Sequence, residues 1–411
     1  FVAVFRQCVD DPKTQTKDVG LAESNASIVQ ATLAGYVSAA RLAAFQNAFT
    51  ALDEIVEALT ELASPKPPLS YKPGNVEALR FLTRFVSENK NCNGGNCLTE
   101  GNWAKVFSVA SRYDFVFSQS AGFDESGLFL GGDNRVNDVP ARKLSGGTSF
   151  SSPFRGASGI SNLSFKASPV LSNMFGGSSM ASDDSPFAHL KKGNTLPETV
   201  ETGATGSPST PSKDSPPHPF ADLDSNEFVL PNFSILKNFG PDDLETIFLC
   251  SDSLDGDTVV SFTKALCEIS LAELSSKHPR VFSLTKLVQV AHTNMSCRPR
   301  FVWSKMWHVM REFFIKAGCH ADVAVAMYVV DSLRQLAVKF LNDRGELSSY
   351  SFQNEFLKPF VVVMRQSKSS EIREFIVRCV SQMITGHFGN IKSGWRSVFM
   401  VFTTAAGDED L

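Results

Sequence analysis

Apolar residues recur at three- and four-residue steps through residues 227–403, and this periodicity constrains the possible folds most strongly. Such spacing places the apolar side chains on one face of an α-helix, with polar side chains on the other. The clearest case lies in residues 371–385, where Glu371, Arg373 and Glu374 fall largely opposite the apolar stripe. That stripe comprises Ile372, Phe375, Ile376, Cys379, Val380 and Met383.

Several stripes of this kind follow one another with short connections. Helices joined by short loops pack as antiparallel pairs, and two helices per roughly 40–45 residues is the period of HEAT and armadillo arrays. The sequence therefore predicts an all-α fold, an armadillo/HEAT-like α-solenoid of helix pairs. The predicted helices lie near residues 301–317, 322–342, 353–366, 371–386 and 391–404.

The beginning of the chain is a second helical zone. Apolar periodicity runs from Ile28 to Leu62, and Pro65 ends it because proline lacks an amide donor and clashes with the preceding turn. Further helices are predicted from Val76 to Ser87 and from Trp103 to Phe117.

Residues 120–226 differ from both zones in composition. Half of the 20 prolines lie here, among clusters of Gly and Ser. Such a segment buries too little apolar surface to offset its ordering entropy, so we expect a disordered insertion. The predicted domains are therefore 1–119, 120–226 and 227–411. Isolated phenylalanines in the insertion are interpreted as scattered hydrophobes, with partner-docking motifs as the alternative: Phe150, Phe154, Phe165, Phe175 and Phe187.

Charge and composition exclude several classes of function. The 39 basic and 43 acidic residues give a net charge of −4, which provides no strong field for nucleic acid. No run of 18 apolar residues occurs, so we expect no membrane-spanning helix. The 8 cysteines are scattered, which is typical of a reduced, cytoplasmic protein.

Motifs of common enzyme classes do not occur in the sequence. There is no phosphate-binding GxxxxGK[ST], GxGxxG, GxSxG or HExxH pattern, so no cofactor is expected. Cys92 and Cys97 have a spacing that a metal could use, but no second Cys/His pair lies near them, and we expect no metal site. Cys319 and His320 are adjacent and would point apart on a helix, which argues against a nucleophile–base pair.

For two pairs of residues the spacing predicts a structural role. Trp303 and Trp307 lie about one helical turn apart in a segment apolar on nearly all sides, so we expect core anchors. Asp331 and Arg334, three residues apart, could act in binding. An ion pair within or between repeats is the favoured interpretation.

Long motifs in the second helical zone resemble one family. They include Asp331-Ser332-Leu333-Arg334-Gln335, the segment 352–360 with Phe356, Leu357, Pro359 and Phe360, and also Arg378, Gly394 and Trp395. Together with residues 281–290 and 301–307, these motifs are similar to the large Sec7-type (BIG/Sec7) guanine-nucleotide exchange factors for ADP-ribosylation-factor GTPases. The resemblance covers residues 245–407 strongly and 25–117 more weakly. It falls in the region called homology downstream of Sec7.

The resemblance implies a role in vesicle trafficking at Golgi and endosomal membranes, with the chain cytoplasmic and peripherally membrane-associated. In the family, catalysis belongs to the Sec7 domain and its FRLPGEAQ-like motif, which this sequence lacks. The chain is therefore expected to be a regulatory scaffold, and its ends are expected to be those of a fragment. Implied partners are the GTPase through the parent protein, the parent's own catalytic domain and other trafficking proteins.

Alternative functions remain open at this level. One is a trafficking adaptor without exchange activity, and another is a nuclear-transport-type solenoid, against which the balanced charge of residues 227–411 argues. The residues expected to face solvent and contact a partner are Arg334, Lys358 and Arg373.

Overall fold

A computed structural model describes residues 19–46, 48–64, 71–88, 98–120, 220, 233–236, 239–276, 279–343, 345–346 and 351–410. Every regular element within these ranges is helical, so the all-α prediction is confirmed. The predicted insertion, including the expectation that it is disordered, lies almost entirely outside the described residues, as do Cys92 and Cys97.

The helices before the insertion are α1 (Val19–Phe45), α2 (Phe49–Ala63), α3 (Pro73–Glu88) and α4 (Glu100–Ser120). After it come α5 (Phe233–Leu236), α6 (Pro241–Leu249), α7 (Gly256–Leu274), α8 (Phe282–Cys297) and α9 (Arg300–Gly318). The last four are α10 (Val323–Asp343), α11 (Phe352–Gln366), α12 (Ser370–His387) and α13 (Trp395–Ala406).

Helix starts follow local sequence chemistry. The Asp255 side chain accepts hydrogen bonds from the backbone amides of Asp257 and Thr258 and so caps α7. Ser369 caps α12 through the Ile372 amide, and Pro241 occupies the first turn of α6, where its missing amide proton costs nothing.

The helices pack in two rows. One row, which we call row A, runs through α2, α4, α7, α9, α11 and α13, each packed on the next. The other, row B, runs through α1, α3, α6, α8, α10 and α12. Chain neighbours such as α9 and α10 pack across the two rows. This is the α-solenoid of helix pairs that the periodicity predicts.

Both rows continue from the helices before the insertion to those after it. In row A α4 packs on α7, and in row B α3 packs on α6. The described helices within residues 1–125 and 215–411 accordingly form one compact unit. The two helical zones predicted from sequence are therefore parts of one solenoid.

Helix α1 bears on the expectation that no helix spans a membrane. Its segment Ser27–Phe45 is long and apolar enough to cross a membrane by length and composition alone. The search for uninterrupted runs of 18 apolar residues did not identify this segment. Val29, Leu33, Val37 and Ala40 are buried on one of its faces, and the helix packs against α2 and α3. A helix in the core of a protein can have the same length and apolar composition, so these two properties alone do not indicate a membrane-spanning helix.

Two element boundaries differ from the prediction. The periodic stretch from Ile28 to Leu62 comprises two helices, because the chain leaves helical geometry before Phe49. The last helix begins at Trp395 and not at 391, since Lys392 and Gly394 donate their amides to the Gln353 side chain instead.

Candidate partner-binding groove

Trp303 and Trp307 form the interior of row A, as predicted. Both are almost fully buried, at 2% and 1% exposure. The Trp307 ring stacks on Phe356 of α11 at a centroid distance of 3.8 Å, and Phe356 stacks on Phe340 of α10 at 4.3 Å. Aromatic rings therefore join α9, α10 and α11.

Pro359 explains a polar contact in this core. It lies inside α11, where its nitrogen cannot donate to the carbonyl of Glu355 one turn earlier. The Trp307 indole Nε1 donates to that Glu355 carbonyl at 3.4 Å. Two family-motif residues on different helices are thus linked, because one supplies the donor that the other lacks.

A groove of 290 Å³ opens above this core, between α9 and α11. We call it the α9–α11 groove. Its walls combine aromatic rings with hydroxyl and charged groups. The lining residues are Ser304, Trp307, His308, Arg311, Ser351, Phe352 and Glu355.

Opposite charges cross the groove and its rim. Arg311 donates to Glu355 across it at 3.1 Å and to Glu312 on its own helix at 2.9 Å. Lys358, half exposed, lies 3.6 Å from Glu355. Lys358 is therefore the one predicted partner residue that faces solvent, and it stands next to the groove.

Arg334 does not have the predicted exposure. Its Nε donates to Asp331 at 2.8 Å, its side chain is only 14% exposed, and the Asp331 side chain is buried. Gln335 Nε2 donates to the second Asp331 oxygen at 2.8 Å. The favoured ion-pair interpretation of Asp331 and Arg334 is therefore confirmed, because a buried carboxylate needs such partners.

The remaining residues of this motif are also internal. Ser332 is buried and donates its hydroxyl to the Tyr328 carbonyl at 2.8 Å, and Leu333 is in the core.

The expectation of solvent exposure is also wrong for Arg373. Its guanidinium donates to Asp408 at 2.5 Å and to Asp410 at 2.9 Å, and the residue is buried. The bond with Asp408 raises the pKa of Arg373 and holds the pKa of Asp408 below its usual range. Arg373 thus fastens the segment after α13 to the start of α12.

Gly394 lies where the loop before α13 meets α11. A Cβ at this position would stand 3.0 Å from Leu357 Cδ1 and 3.3 Å from Gln353 Oε1, so a side chain does not fit without a shift. Gln353 Nε2 also donates to the Asn390 carbonyl at 2.9 Å, and Glu346 accepts from the Ser393 amide at 2.8 Å.

The other family-motif residues divide between core and surface. Phe356, Leu357, Pro359 and Phe360 are buried in α11. Arg378 forms a partly exposed ion pair with Glu374 on α12. Trp395 is half buried and stacks on the exposed Phe399 at 5.4 Å.

Cys319 and His320, which were considered as a nucleophile–base pair, make separate contacts. His320 Nδ1 accepts from the Asp322 amide at 3.0 Å, whereas Cys319 Sγ points toward Gln366 at 3.9 Å. Burial raises the pKa of Cys319, which favours the unreactive thiol. In the described part of the chain no group of three His, Cys, Asp or Glu residues could hold a metal ion.

Sequence reasoning missed Arg311 and Glu355, which define the groove. They are 44 residues apart, about one helix-pair period, and belong to consecutive row A helices. Lys305 and Asp257 form a similar pair 48 residues apart. Opposite charges at the repeat period were therefore the signal that could have identified them.

Comparison with known proteins covers nearly the whole chain. The chain is 34% identical over 394 residues to brefeldin A-inhibited guanine nucleotide-exchange protein 3 of Arabidopsis thaliana, a match that covers 93% of the chain and 19% of that protein. A family model described as Mon2/Sec7/BIG1-like, HDS matches residues 339–411. The predicted resemblance to the region downstream of Sec7 in the large Sec7-type exchange factors is confirmed.

Other exchange-factor relatives match about half of the chain more closely. Exchange protein 1 of Arabidopsis thaliana is 52% identical over 185 residues, or 45% of the chain and 11% of the relative. Exchange protein 1 of Homo sapiens is 45% identical over 168 residues, or 41% of the chain and 9% of the relative. The chain spans about a fifth, or less, of the exchange-factor relatives that it matches.

Proposed function

We propose that this chain is the regulatory helical scaffold of a guanine-nucleotide exchange factor for ADP-ribosylation-factor GTPases. Its similarity over 93% of its length to proteins named as exchange factors carries the proposal. The proposed site of action is the cytoplasmic face of Golgi and endosomal membranes. Exchange chemistry is proposed to reside in a Sec7 domain outside this chain, as in the family that the sequence resembles.

The partner surface proposed here is the α9–α11 groove with Lys358 at its rim. It offers exposed charge of both signs beside an aromatic core, and its walls are fixed by Trp307, Phe356 and the Arg311–Glu355 pair. The catalytic domain and the GTPase can each adopt two conformational states, and a rigid surface of this kind can bind one of these states and not the other. Such differential contact is the physical requirement for regulation at a distance.

The test compares three proteins on liposomes carrying an ADP-ribosylation-factor GTPase loaded with fluorescent nucleotide. These are this chain alone, a Sec7 domain from the family alone, and the two joined in one polypeptide. The chain alone should leave nucleotide release unchanged, and the joined protein should differ from the Sec7 domain. Acceleration by the chain alone, or equal rates for the last two, would contradict the proposal.

The groove is tested in the joined protein with Lys358→Glu. Lys368→Glu is the matched control, because it makes the same charge change at an exposed position in the loop between α11 and α12. The Lys358 variant should shift the rate toward that of the Sec7 domain alone, and the control should behave as the unmodified protein. Equal effects of the two variants would show that the partner binds elsewhere.

A further inference from the structure

Phe220, near the far end of the insertion, is buried against the solenoid. Its side chain is 1% exposed, and its ring centroid lies 4.8 Å from the guanidinium carbon of Arg280. Arg280 also stands over the ring of Phe115 in α4, at 5.2 Å. Arginine over aromatic rings is favourable, and more so where water is excluded.

Arg280 is held in place by α4. Its two terminal nitrogens donate to the backbone carbonyl and the hydroxyl of Ser111, at 3.0 and 2.9 Å. We call Arg280, Ser111 and Phe115 the Phe220 site. Because the arginine is fixed by these bonds, the site presents a prepared surface to an aromatic ring.

The sequence around Phe220 occurs twice in the insertion. Phe220 belongs to Pro219-Phe-Ala-Asp-Leu223, and 33 residues earlier the chain reads Pro186-Phe-Ala-His-Leu190. Four of the five residues agree, and they include the phenylalanine that contacts Arg280. Proline before the phenylalanine restricts the backbone in both copies.

We propose that the Phe220 site is a docking site for Pro-Phe-Ala-x-Leu segments, and that residues 186–190 are its second ligand. Both copies belong to the same polypeptide, so each reaches the site at a high effective concentration. Docking of Phe187 in place of Phe220 moves 33 residues of chain from one side of the docking point to the other. The insertion thus has two alternative attachments at one site.

The experiment uses the full chain with Phe220→Ala, which empties the site. Labelled peptides spanning 182–193 and 215–226 are titrated by fluorescence anisotropy, beside versions with Phe187→Ala or Phe220→Ala. Both parent peptides should bind, and their alanine versions should bind at least about tenfold more weakly, because the ring contact is lost. Arg280→Gln in the same chain should weaken both parent peptides.

Failure of the 182–193 peptide to bind, or binding unaffected by its Phe187→Ala change, would overturn the proposal. Thermal unfolding of the Phe220→Ala chain checks that the solenoid is intact. Should that variant unfold, photo-reactive benzoylphenylalanine is placed at position 187 of a chain with the milder change Phe220→Leu, which weakens the competing ligand and keeps an apolar side chain at position 220. Crosslinks to peptides containing Arg280 support the second attachment, and crosslinks elsewhere or none contradict it. No GTPase enters either assay, so the result is independent of the proposed exchange function.

Discussion

At the scale of the residue, the two tryptophans of α9 differ in one hydrogen bond. Trp307 donates to the carbonyl that Pro359 leaves open, whereas the buried Trp303 Nε1 has no hydrogen-bond partner among the described residues. Sequence periodicity predicts that both rings are buried. It could not distinguish them, because the distinction depends on Pro359 in α11, which leaves open the Glu355 carbonyl 48 residues after Trp307.

Replacement of each tryptophan by phenylalanine should reveal this difference. Trp307→Phe leaves the Glu355 carbonyl without its indole donor, which should cost about 1–3 kcal/mol beyond the loss of packing. Trp303→Phe removes an unsatisfied donor and should cost less. Denaturant unfolding measures both, with Phe301→Ala as an exposed control expected to change stability by less than about 0.5 kcal/mol. Equal losses for the two tryptophans would contradict the assigned bond.

The Arg373–Asp408 pair predicts a dependence of stability on pH. Because the bond with Arg373 holds the folded-state pKa of Asp408 below its unfolded value, its contribution is full above about pH 4 and is lost as the pH falls through the folded pKa. Asp408→Asn should therefore lower the unfolding midpoint at pH 7 and have a smaller effect near pH 2. A difference between the two proteins that is independent of pH would contradict this origin.

At the scale of the element, the loop before α13 shows why boundaries are harder to predict than helices. The apolar stripe from Ile391 onward fits a helix, yet Ile391–Gly394 is held by Gln353 and Glu346 from an earlier loop and helix. Arg373 misled the prediction for a similar reason. Periodicity places it opposite the apolar stripe, but the acidic residues after α13 fold back and bury it.

Removal of the Gln353 side chain should loosen this loop. Gln353→Ala leaves the Lys392 amide and the Asn390 carbonyl without their partner, so we expect a loss of about 1–3 kcal/mol. Amide hydrogen exchange should rise in residues 390–395. Gln366→Ala, at an exposed position on the same helix, is the matched control. Unchanged amide hydrogen exchange in residues 390–395 would show that the Gln353 hydrogen bonds do not hold the loop.

Helix α13 carries an exposed aromatic side chain. Phe399 is 61% exposed and stacks on Trp395, whereas Val398 and Val401 are buried. An exposed aromatic face on a solenoid helix favours association. The 411-residue chain should therefore associate at high concentration in sedimentation experiments, and Phe399→Arg should reduce this association. A monomer at all concentrations would show that the face does not mediate contact.

At the scale of the whole molecule, the insertion interrupts the sequence without interrupting the solenoid. Sequence composition divides the chain into two helical zones, and it could not show that α4 packs on α7 or α3 on α6. These contacts depend on surfaces that only the folded chain brings together. They include the Tyr113 hydroxyl, which donates to the Leu236 carbonyl across the interruption at 2.7 Å.

The continuity of the solenoid is tested most directly by cleavage of the chain at one engineered protease site between residues 150 and 200. Because the core contacts of α3 and α4 with α6 and α7 remain, the two fragments should sediment together as one particle and unfold in one transition. Denaturant should separate them. Two independent particles after cleavage under native conditions, each with its own unfolding transition, would contradict a single solenoid.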